Sequence, residues 1–311
     1  MQAGIGSKRV DVAVGGRRVT LSNLDKVLWP RQDFTKGDLI EYYARVAKWL
    51  LPHLKDRPLS LVRFPQGIAG KGFYQKDAPQ GTPDWVRIAP VWSKDKQSYI
   101  NFILCDNVET LIWMANLGTI EINPWLSRFP SLDKPDFAVF DIDPADGTTW
   151  PDVVLVAKLV KELLDEWKLE GFPKVSGGTG IHIYVPLEPV YTYRESAAFV
   201  RFAAELIRQA YPEKVTLERI VRQRYGHVYI DYPQNARGQT ILAAYGVKAL
   251  DGAPVSVPVL WDELDQVGPQ SRNIKTVPDR LERMGDPFAE ALTRKQDINP
   301  ILQNALSGNT M

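Results

Sequence analysis

The segment Phe137-Ala138-Val139-Phe140-Asp141-Ile142-Asp143-Pro144 is the most informative part of the sequence, because it combines an apolar run with two acids. The run is typical of a short buried strand, which the turn-forming residues after Pro144 bring to an end. Side chains alternate between the two faces of a strand, so Asp141 and Asp143 are expected on the same face. Two neighbouring carboxylates are costly to desolvate unless a cation lies between them. The segment alone leaves two interpretations open, a divalent metal site and a pair of solvated acids at a turn.

A third acid ends another apolar strand, at Gly226-His227-Val228-Tyr229-Ile230-Asp231-Tyr232-Pro233-Gln234-Asn235. The arginines around it in sequence are Arg219, Arg222, Arg224 and Arg237. Three acids at strand ends are the ligand set expected for two hard divalent cations. Two such cations can activate an attacking hydroxyl and stabilise the leaving group of a phosphoryl displacement. The chain has only 3 histidines, which makes an acid-built site more economical than a three-histidine site.

A glycine-rich segment follows the next predicted strand, at Ser176-Gly177-Gly178-Thr179-Gly180-Ile181-His182-Ile183-Tyr184-Val185. Its glycines allow a sharp turn and offer clustered N–H donors, with Ser176 and His182 on either side. The segment is a candidate cradle for a triphosphate. It is neither a Walker A loop, because no Gly-Lys-Ser/Thr follows, nor a Rossmann fingerprint, because a strand comes next. A glycine-rich hairpin without a ligand is the alternative.

Two lysines near the N-terminus form a candidate phosphate site. Thr35 and Asp38 predict a capping box for a helix that ends near Leu51, which places Lys36 in the first helical turn. Anions are favoured at that end of a helix, so a lysine there, with Lys26 close upstream, suits a phosphate. Two solvated surface lysines are the alternative.

Residues 57–76 form a second cluster of cations and rings. Its members are Arg57, Arg63, Phe64, Lys71, Phe73, Tyr74 and Lys76. Interleaved rings and cations suit stacking on bases and neutralising phosphates. They equally suit a hairpin with one buried face, and Pro65-Gln66-Gly67 predicts a turn in either case. A further hairpin is predicted at Val10 to Thr20, and further helices at Asp152 to Lys168, from Thr192 to about Ala210, and up to Gly118 with Asp106 and Glu109 as its caps.

The composition is that of an ordinary soluble globular protein, with 44% hydrophobic and 24% charged residues among 311. A net charge of +1 gives no sign of a polyanionic partner. The one cysteine, Cys105, excludes an internal disulfide and a cysteine-based zinc site. The N-terminus lacks the apolar region of a signal peptide, so a cytoplasmic protein is expected. Weakly structured ends are expected at residues 1–8 and at Ser307-Gly308-Asn309-Thr310.

Three motifs carry a resemblance to a known family. They are Phe-Asp-Ile-Asp-Pro at 140–144, Ser-Gly-Gly-Thr-Gly-Ile-His at 176–182 and Tyr-Ile-Asp-Tyr-Pro-Gln-Asn at 229–235. In order and spacing they resemble motifs I, II and III of the archaeo-eukaryotic primase superfamily. More narrowly, Leu21-Ser22-Asn23-Leu24-Asp25-Lys26-Val27-Leu28-Trp29-Pro30 and the span to about residue 290 resemble the polymerase domain of DNA ligase D, the bacterial non-homologous end-joining ligase.

The resemblance implies a fold and an organisation. We expect a mixed α+β (α/β) fold, a primase-like catalytic core with central mixed, largely antiparallel β-sheets flanked by helices. One polymerase domain is expected over residues 1–311. It would have an N-terminal part at 1–130, a catalytic core at 131–260 and a C-terminal helical tail at 261–311. Such enzymes often carry ligase and phosphoesterase domains, which this sequence lacks, so a stand-alone form is expected.

The resemblance also implies roles for individual residues. The metal-binding catalytic acids correspond to Asp141, Asp143 and Asp231. Positions in or near the nucleotide site correspond to Ser176, Gly177, His182, Arg224, Gln234, Lys248 and Asn123. Lys26 and Lys36 match the pair that grips the 5′-phosphate of the downstream DNA strand. Tyr74, with Phe73, falls where the family stacks an aromatic ring on the template near that phosphate.

Three positions depart from the pattern of the family. Thr179 occupies a position where relatives often have lysine, which would weaken the grip on phosphate. Asn123 replaces a histidine near the nucleotide sugar, and Lys248 replaces an arginine whose bidentate fork lysine cannot reproduce. These changes bear on nucleotide affinity and on ribonucleotide preference, and they leave the metal chemistry untouched.

The function that the resemblance implies is template-directed nucleotidyl transfer to a DNA 3′ end in non-homologous end joining. The enzyme would add NTPs in preference to dNTPs, with two divalent ions, Mn²⁺ or Mg²⁺. Its partners would be DNA gaps or double-strand breaks bearing a 5′-phosphate, Ku and a separately encoded ligase, in association with the nucleoid. Three alternatives stay open, namely a de novo primase, a non-catalytic scaffold at DNA ends, and a metal-dependent phosphodiesterase, against which the glycine-rich turn counts.

Overall fold

The structure, a computed structural model, describes residues 9–307. Both of the expected weakly structured ends lie outside the described residues, apart from Ser307, the last residue of the final helix. The strands are β1 (Arg9–Val14), β2 (Arg17–Ser22), β3 (Val27–Trp29), β4 (Phe34–Thr35), β5 (Leu59–Arg63), β6 (Phe73–Gln75), β7 (Arg87–Ser93), β8 (Ser98–Leu104), β9 (Thr119–Pro124), β10 (Phe137–Pro144), β11 (Phe172–Val175), β12 (Ile181–Pro186), β13 (Val215–Thr216), β14 (Val228–Ile230) and β15 (Val257–Pro258).

The α-helices are α1 (Lys36–Leu54), α2 (Val108–Asn116), α3 (Trp150–Glu166), α4 (Tyr193–Ala210), α5 (Val277–Met284) and α6 (Asn299–Ser307). Short 3-10 turns lie at Val221–Gln223, Tyr232–Asn235, Trp261–Glu263 and Glu290–Leu292. Within the described part of the chain, no helix combines the length and the apolar character needed to cross a membrane.

Capping residues fix where two of the longest helices begin. Thr35 and Asp38 form the predicted capping box of α1, so that Lys36 is its first residue. Thr192 and Glu195 form the same arrangement at α4. In each box the hydroxyl and the acid satisfy backbone N–H groups that the helix itself leaves unpaired. Both predictions are confirmed.

The predicted cap of α2 is wrong by one residue. Asn107 is the N-cap, and its Oδ1 accepts a hydrogen bond from the Thr110 N–H at 2.9 Å. Asp106 instead accepts a hydrogen bond from the Asp56 N–H at 2.8 Å and pairs with Arg87. These two partners are distant in sequence, so local spacing could not reveal them.

The chain divides into two compact units, and the first comprises the described residues up to Pro124 together with Tyr245–Val255 and Arg272–Gly285. Its main sheet has the strand order β6-β5-β8-β7, and β9 also pairs with β5. All of these pairings are antiparallel. Strands β1 and β2 form the predicted hairpin, and β5 and β6 form the other, joined by a loop longer than the predicted three-residue turn.

The second unit comprises Trp125–Ala244, Ser256–Ser271 and the described residues from Asp286 onward. Its sheet has the order β13-β14-β10-β12-β11-β15, with only the β13–β14 pairing parallel. Helices α3 and α4 pack on β10. The apolar residues of β10 are almost fully buried, which confirms the predicted buried strand. Antiparallel sheets flanked by helices confirm the expected fold class.

Candidate functional site

Three acids lie at adjoining strand ends in the second unit. Strand β10, which carries Asp141 and Asp143, pairs with β12 on one edge and with β14 on the other. Asp231 follows β14 directly, and its backbone N–H donates to the Asp141 carbonyl at 2.8 Å. The residue between the first two acids, Ile142, is fully buried, whereas each acid is only partly buried. The sheet therefore brings together acids that are 90 residues apart in sequence.

Burial and mutual repulsion make these acids reluctant to ionise. Desolvation and the charge of Asp141 raise the pKa of Asp143 to about 7, and Asp231 contributes further. Desolvation and Asp141 also raise the pKa of Asp231. His182 and Arg224 act in the opposite direction on Asp143, but their effect is smaller than that of burial. The neighbouring cations therefore do not fully offset the cost of charging these acids, and the pKa values of Asp143 and Asp231 remain raised.

A divalent cation fits this cluster by charge and by donor chemistry. Carboxylate oxygens are the ligands that hard divalent cations prefer, and a cation would relieve the repulsion that raises both pKa values. Within residues 9–307, the structure has no group of three or more His, Cys, Asp or Glu side chains that is arranged to coordinate a metal ion. The case for a cation therefore rests on electrostatics and ligand type.

His182 faces the first acid across the sheet. It is the register partner of Asp141 in the β10–β12 pair, and its Nε2 lies 3.2 Å from Asp141 Oδ1. Its side chain is buried. Cross-strand partners of this kind lie on the same face of a sheet, so the histidine of the glycine-rich segment lies next to Asp141.

The glycine-rich turn is organised around the Ser176 hydroxyl. Its Oγ accepts hydrogen bonds from the N–H groups of Gly178 at 3.1 Å and Gly180 at 3.0 Å. Two of the donors predicted for a phosphate are thus engaged within the turn. Gly177 adopts a positive φ of 79°. Thr179 is exposed at the tip of the turn.

Gly180 brings the turn into close contact with the acidic strand. A Cβ at this position would lie 2.4 Å from the Ile142 carbonyl oxygen and 2.9 Å from Asp143 Oδ1. Any larger residue would have to displace backbone, so the turn and the second acid require glycine here. The sequence indicates a sharp turn, but it does not indicate this contact.

Arg224 is held near the acids by a neighbouring ring. Its guanidinium carbon lies 3.5 Å from the centroid of the Tyr229 ring. Its Nε and Nη2 donate to the carbonyl oxygens of Glu218 at 2.7 Å and Arg219 at 2.8 Å. The Tyr229 hydroxyl in turn donates to Asp231 Oδ1 at 3.2 Å. The structure therefore brings Arg224 to the acid cluster.

The third motif contains one amide that binds a nearby loop and one that binds the central strand. Gln234 Nε2 donates to the Thr240 carbonyl at 2.9 Å. The fully buried Asn235 accepts from the Val139 N–H at 2.8 Å and donates to the Val139 carbonyl at 2.7 Å. Asn235 thereby pins the turn after Asp231 to β10. The sequence alone does not predict this role of Asn235, although its position four residues after an acid at a strand end is a signal.

Two predicted nucleotide residues, Asn123 and Lys248, belong to the first unit. Asn123 lies on β9, and its buried Nδ2 has no hydrogen-bond partner among residues 9–307. Lys248 Nζ lies 3.2 Å from Glu121 Oε1, which is a partner that the sequence did not indicate.

Lys26 and Lys36 of the first unit interact electrostatically, and each lies among polar groups. The Lys36 N–H donates to the Lys26 carbonyl at 2.8 Å. Lys36 is only 5% exposed, and its Nζ lies 3.1 Å from Asn116 Oδ1, 3.2 Å from the Asn116 carbonyl and 3.4 Å from Ser22 Oγ. Lys26 Nζ donates to Gln66 Oε1 at 2.7 Å. Burial, with the charge of Lys26 as a smaller cause, lowers the pKa of Lys36 to about 8.

Lys36 is therefore not the solvated surface lysine of the alternative interpretation. A cation that is costly to bury and that has no acidic partner among residues 9–307 gains most from an incoming anion. In the same unit, β6 exposes Phe73 at 44% and Tyr74 at 73%. The Arg63 guanidinium carbon lies 5.3 Å from the Phe73 ring centroid, so Tyr74 presents the more open ring.

Comparisons with known proteins point to one family. A family model described as "LigD, primase-polymerase domain" matches residues 35–288. The chain is also similar to a solved structure, "Polymerase Domain from Mycobacterium tuberculosis Ligase D in complex with DNA". The TM-score is 0.84 at 32% sequence identity, and the match covers 90% of this chain and 99% of that one.

Curated relatives agree with the family match. The "Bifunctional non-homologous end joining protein LigD" of Bacillus subtilis is 33% identical over 282 residues, which cover 90% of this chain and 45% of the relative. The "Multifunctional non-homologous end joining protein LigD" of Pseudomonas aeruginosa is 34% identical over 292 residues, which cover 93% and 34% respectively. The chain thus spans less than half the length of these two relatives.

Proposed function

Since this chain belongs to the LigD primase-polymerase family and is a nucleotidyltransferase, we propose that it extends the 3′ end of DNA at gaps and broken ends. The template would direct each addition, ribonucleotides would be preferred to deoxyribonucleotides, and a 5′-phosphate on the downstream strand would mark the substrate. The relatives' names place them in non-homologous end joining, and we assign this chain to the same process. Ku and a ligase are its proposed partners.

The observation that carries the proposal is the acid cluster. Asp141, Asp143 and Asp231 lie at adjoining ends of central strands, and burial together with their mutual repulsion raises the pKa values of the last two. Perturbed acids of this kind are typical of functional sites. A cluster of solvated acids at a turn would show neither effect, which disfavours the alternative interpretation.

We propose that the three acids hold two divalent cations, Mn²⁺ or Mg²⁺. Such ions, when bound, supply Lewis acidity to the attacking 3′ hydroxyl and neutralise charge on the triphosphate and its leaving group. The protein would contribute a fixed arrangement of carboxylates, because β10 is hydrogen-bonded on both edges and Asn235 holds the third motif against it.

The nucleotide would be held by groups around this cluster. Arg224 is a cation and His182 a hydrogen-bonding group next to the acids, and both suit the phosphates of an incoming nucleotide. Ser176 would shape the turn, since its hydroxyl organises the two glycine amides. Gly177 and Gln234 are assigned to the nucleotide by resemblance. For Asn123 and Lys248, which belong to the first unit, the nucleotide role stays a prediction from the sequence.

DNA-end recognition is assigned to the first unit. A phosphate would give buried Lys36 a counter-charge that the described part of the chain does not supply, and Lys26 would add a second cation. Tyr74, with Phe73, would stack on a template base, because exposed rings bind bases of any sequence.

The proposed function is tested by primer extension on a labelled gapped duplex. NTPs and dNTPs are compared with Mg²⁺ and with Mn²⁺, each with and without a 5′-phosphate at the gap. We expect metal-dependent, template-directed addition that is faster with NTPs and with the phosphate. The absence of any addition under all these conditions would leave a non-catalytic end-binding protein as the better description.

Replacement of both lysines by alanine, Lys26→Ala with Lys36→Ala, is expected to remove the advantage of a 5′-phosphorylated gap. The physical reason is the loss of both cations that would bind the phosphate, each of which contributes roughly a tenfold effect in affinity. The measurement is the ratio of extension rates on phosphorylated and unphosphorylated gaps. Lys48→Ala on the exposed side of the same helix is the matched control. If the double variant leaves this ratio unchanged, Lys26 and Lys36 do not bind the 5′-phosphate.

The same ratio is expected to fall as the pH rises through about 8. Burial lowers the pKa of Lys36 to about 8, so above this pH the free protein loses the charge that attracts the phosphate. Because the charge of Lys26 contributes to that shift, Lys26→Ala should move the decline to higher pH. Using the ratio cancels any effect of pH on the chemical step, which is common to both substrates. A ratio that stays flat through this range would contradict the role of Lys36.

A further inference from the structure

The second unit buries a lysine that the proposed chemistry has not used. Lys174 on β11 has no exposed surface, which is rare for a lysine. Its Nζ lies 2.6 Å from His182 Nδ1, 2.6 Å from Ser256 Oγ and 2.9 Å from the Leu242 carbonyl oxygen. A cation so deep in the protein is costly unless these contacts compensate for its lost hydration.

Lys174 is in register with the active-site residues across three strands. It is the register partner of His182 in the β11–β12 pair, and His182 is the partner of Asp141 in the β12–β10 pair. The three side chains therefore form a row across the sheet, from a buried lysine through a histidine to an acid. The row ends with 3.2 Å between His182 Nε2 and Asp141 Oδ1.

The donors and acceptors in this row fix the position of one proton. A lysine ammonium group only donates hydrogen bonds. The Leu242 oxygen is an acceptor, and Ser256 Oγ is free to accept because its own proton is donated to the Val175 carbonyl at 3.1 Å. At 2.6 Å from the ammonium group, His182 Nδ1 must also accept, so it carries no proton. The imidazole proton is then on Nε2.

We propose that Lys174 is a positioning residue that holds His182 in the Nε2–H tautomer. With Nδ1 occupied by the lysine, His182 presents an N–H donor on the side of the acids. There it donates to Asp141 in the free protein and to a phosphate oxygen of the incoming nucleotide in the complex. The second part rests on the proposed function, whereas the tautomer itself does not.

The tautomer can be measured directly in the nucleotide-free protein. Long-range ¹H–¹⁵N spectra of protein labelled with ¹⁵N-histidine distinguish the two neutral tautomers by the shifts of the two ring nitrogens and their coupling patterns. The chain has 3 histidines, so His182→Gln identifies the signals of His182 by their disappearance. We expect the Nε2–H pattern for His182. The Nδ1–H pattern in the unmodified protein overturns the proposal, and this result requires no variant to fold.

Variants test whether the lysine is the cause. Lys174→Met keeps the length of the side chain without its donors, and we expect His182 to lose its single-tautomer pattern. Ser256→Ala removes a neighbour of Lys174 while leaving its contact with His182, so the pattern should persist. If Lys174→Met folds and retains an unchanged Nε2–H pattern, the lysine does not set the tautomer.

Kinetics test the consequence for the nucleotide. In Lys174→Met the KM for the incoming nucleotide is expected to rise about tenfold with a smaller change in kcat, because one hydrogen bond to a phosphate is no longer prearranged. Lys158→Met, which replaces a partly exposed lysine of the same unit that pairs with Asp265, is the control for the loss of charge. If Lys174→Met loses the single-tautomer pattern and its KM is unchanged, the proposed contact between His182 and the nucleotide is wrong. Polymerase activity would persist in that case, so this result is distinct from a failure of the proposed function.

Discussion

Asp141→Ala is expected to reduce nucleotide addition about a thousandfold or more, since bound divalent cations contribute several kcal/mol to such a reaction. Asp141 is the acid that the other two have in common. Its charge raises the pKa values of Asp143 and Asp231, and its carbonyl accepts the hydrogen bond that places Asp231. The substitution removes the carboxylate and keeps that carbonyl, so the strand ends should stay in place. The measurement is single-turnover extension of a gapped duplex.

DNA binding separates lost chemistry from a lost fold. The two lysines and the exposed ring that we assign to DNA lie in the other unit, so the affinity of Asp141→Ala for a 5′-phosphorylated gap should change little. Asp146→Ala is a matched control, because Asp146 is an exposed acid just beyond the same strand. Extension by Asp141→Ala at a tenth or more of the normal rate would contradict the assignment of Asp141 to a catalytic metal site.

Asp143→Asn is expected to be inactive and yet more stable than the unmodified protein when metal is removed at about pH 8. The folded protein keeps the Asp143 proton up to about pH 7, whereas the unfolded chain releases it near 3.8. Folding stability therefore falls as the pH rises through this window and is constant above it. Asparagine does not ionise and so avoids that loss. The resulting gain in the free energy of unfolding at pH 8 has an upper limit of about 4 kcal/mol.

Thermal unfolding in the presence of a chelator measures this gain. The difference in Tm between Asp143→Asn and the unmodified protein should be several degrees at about pH 8 and clearly smaller at about pH 5. Adding Mn²⁺ should raise the Tm of the unmodified protein more than that of the variant, because a ligand that binds the folded state stabilises it. A difference in Tm that does not depend on pH would show that the charge of Asp143 is not the cause.

Features that depend on local spacing were predictable from the sequence. The capping boxes at Thr35 and Thr192, the buried strand and the glycine turn between two strands all arise from residues within a few positions of one another. The common face of Asp141 and Asp143 follows from strand geometry alone. The third acid, 90 residues away, could be grouped with them because it also ends an apolar strand, and the resemblance to a family agrees with that grouping.

Features that depend on pairing between distant residues were not predictable. Asn116 and Ser22 surround Lys36 from positions 80 and 14 residues away, and Asn235 binds the backbone of Val139 across 96 residues. No sequence pattern distinguishes Lys174, and only the sheet register places it beside His182. The degree to which Lys36 and Asp143 are buried could not be inferred from the sequence either, and burial is the largest cause of their pKa shifts.

The position of β10 in the middle of its sheet has a consequence for fluctuations. A strand bonded on both edges exposes its amides to solvent only when neighbouring strands separate, so its hydrogen exchange should require nearly global unfolding. The first two acids thus flank Ile142, the residue at which β10 is paired with both neighbouring strands. The spacing of their carboxylates is then protected by the cooperativity of the whole sheet, and a surface mutation that weakens a loop would leave that spacing intact until the unit itself melts.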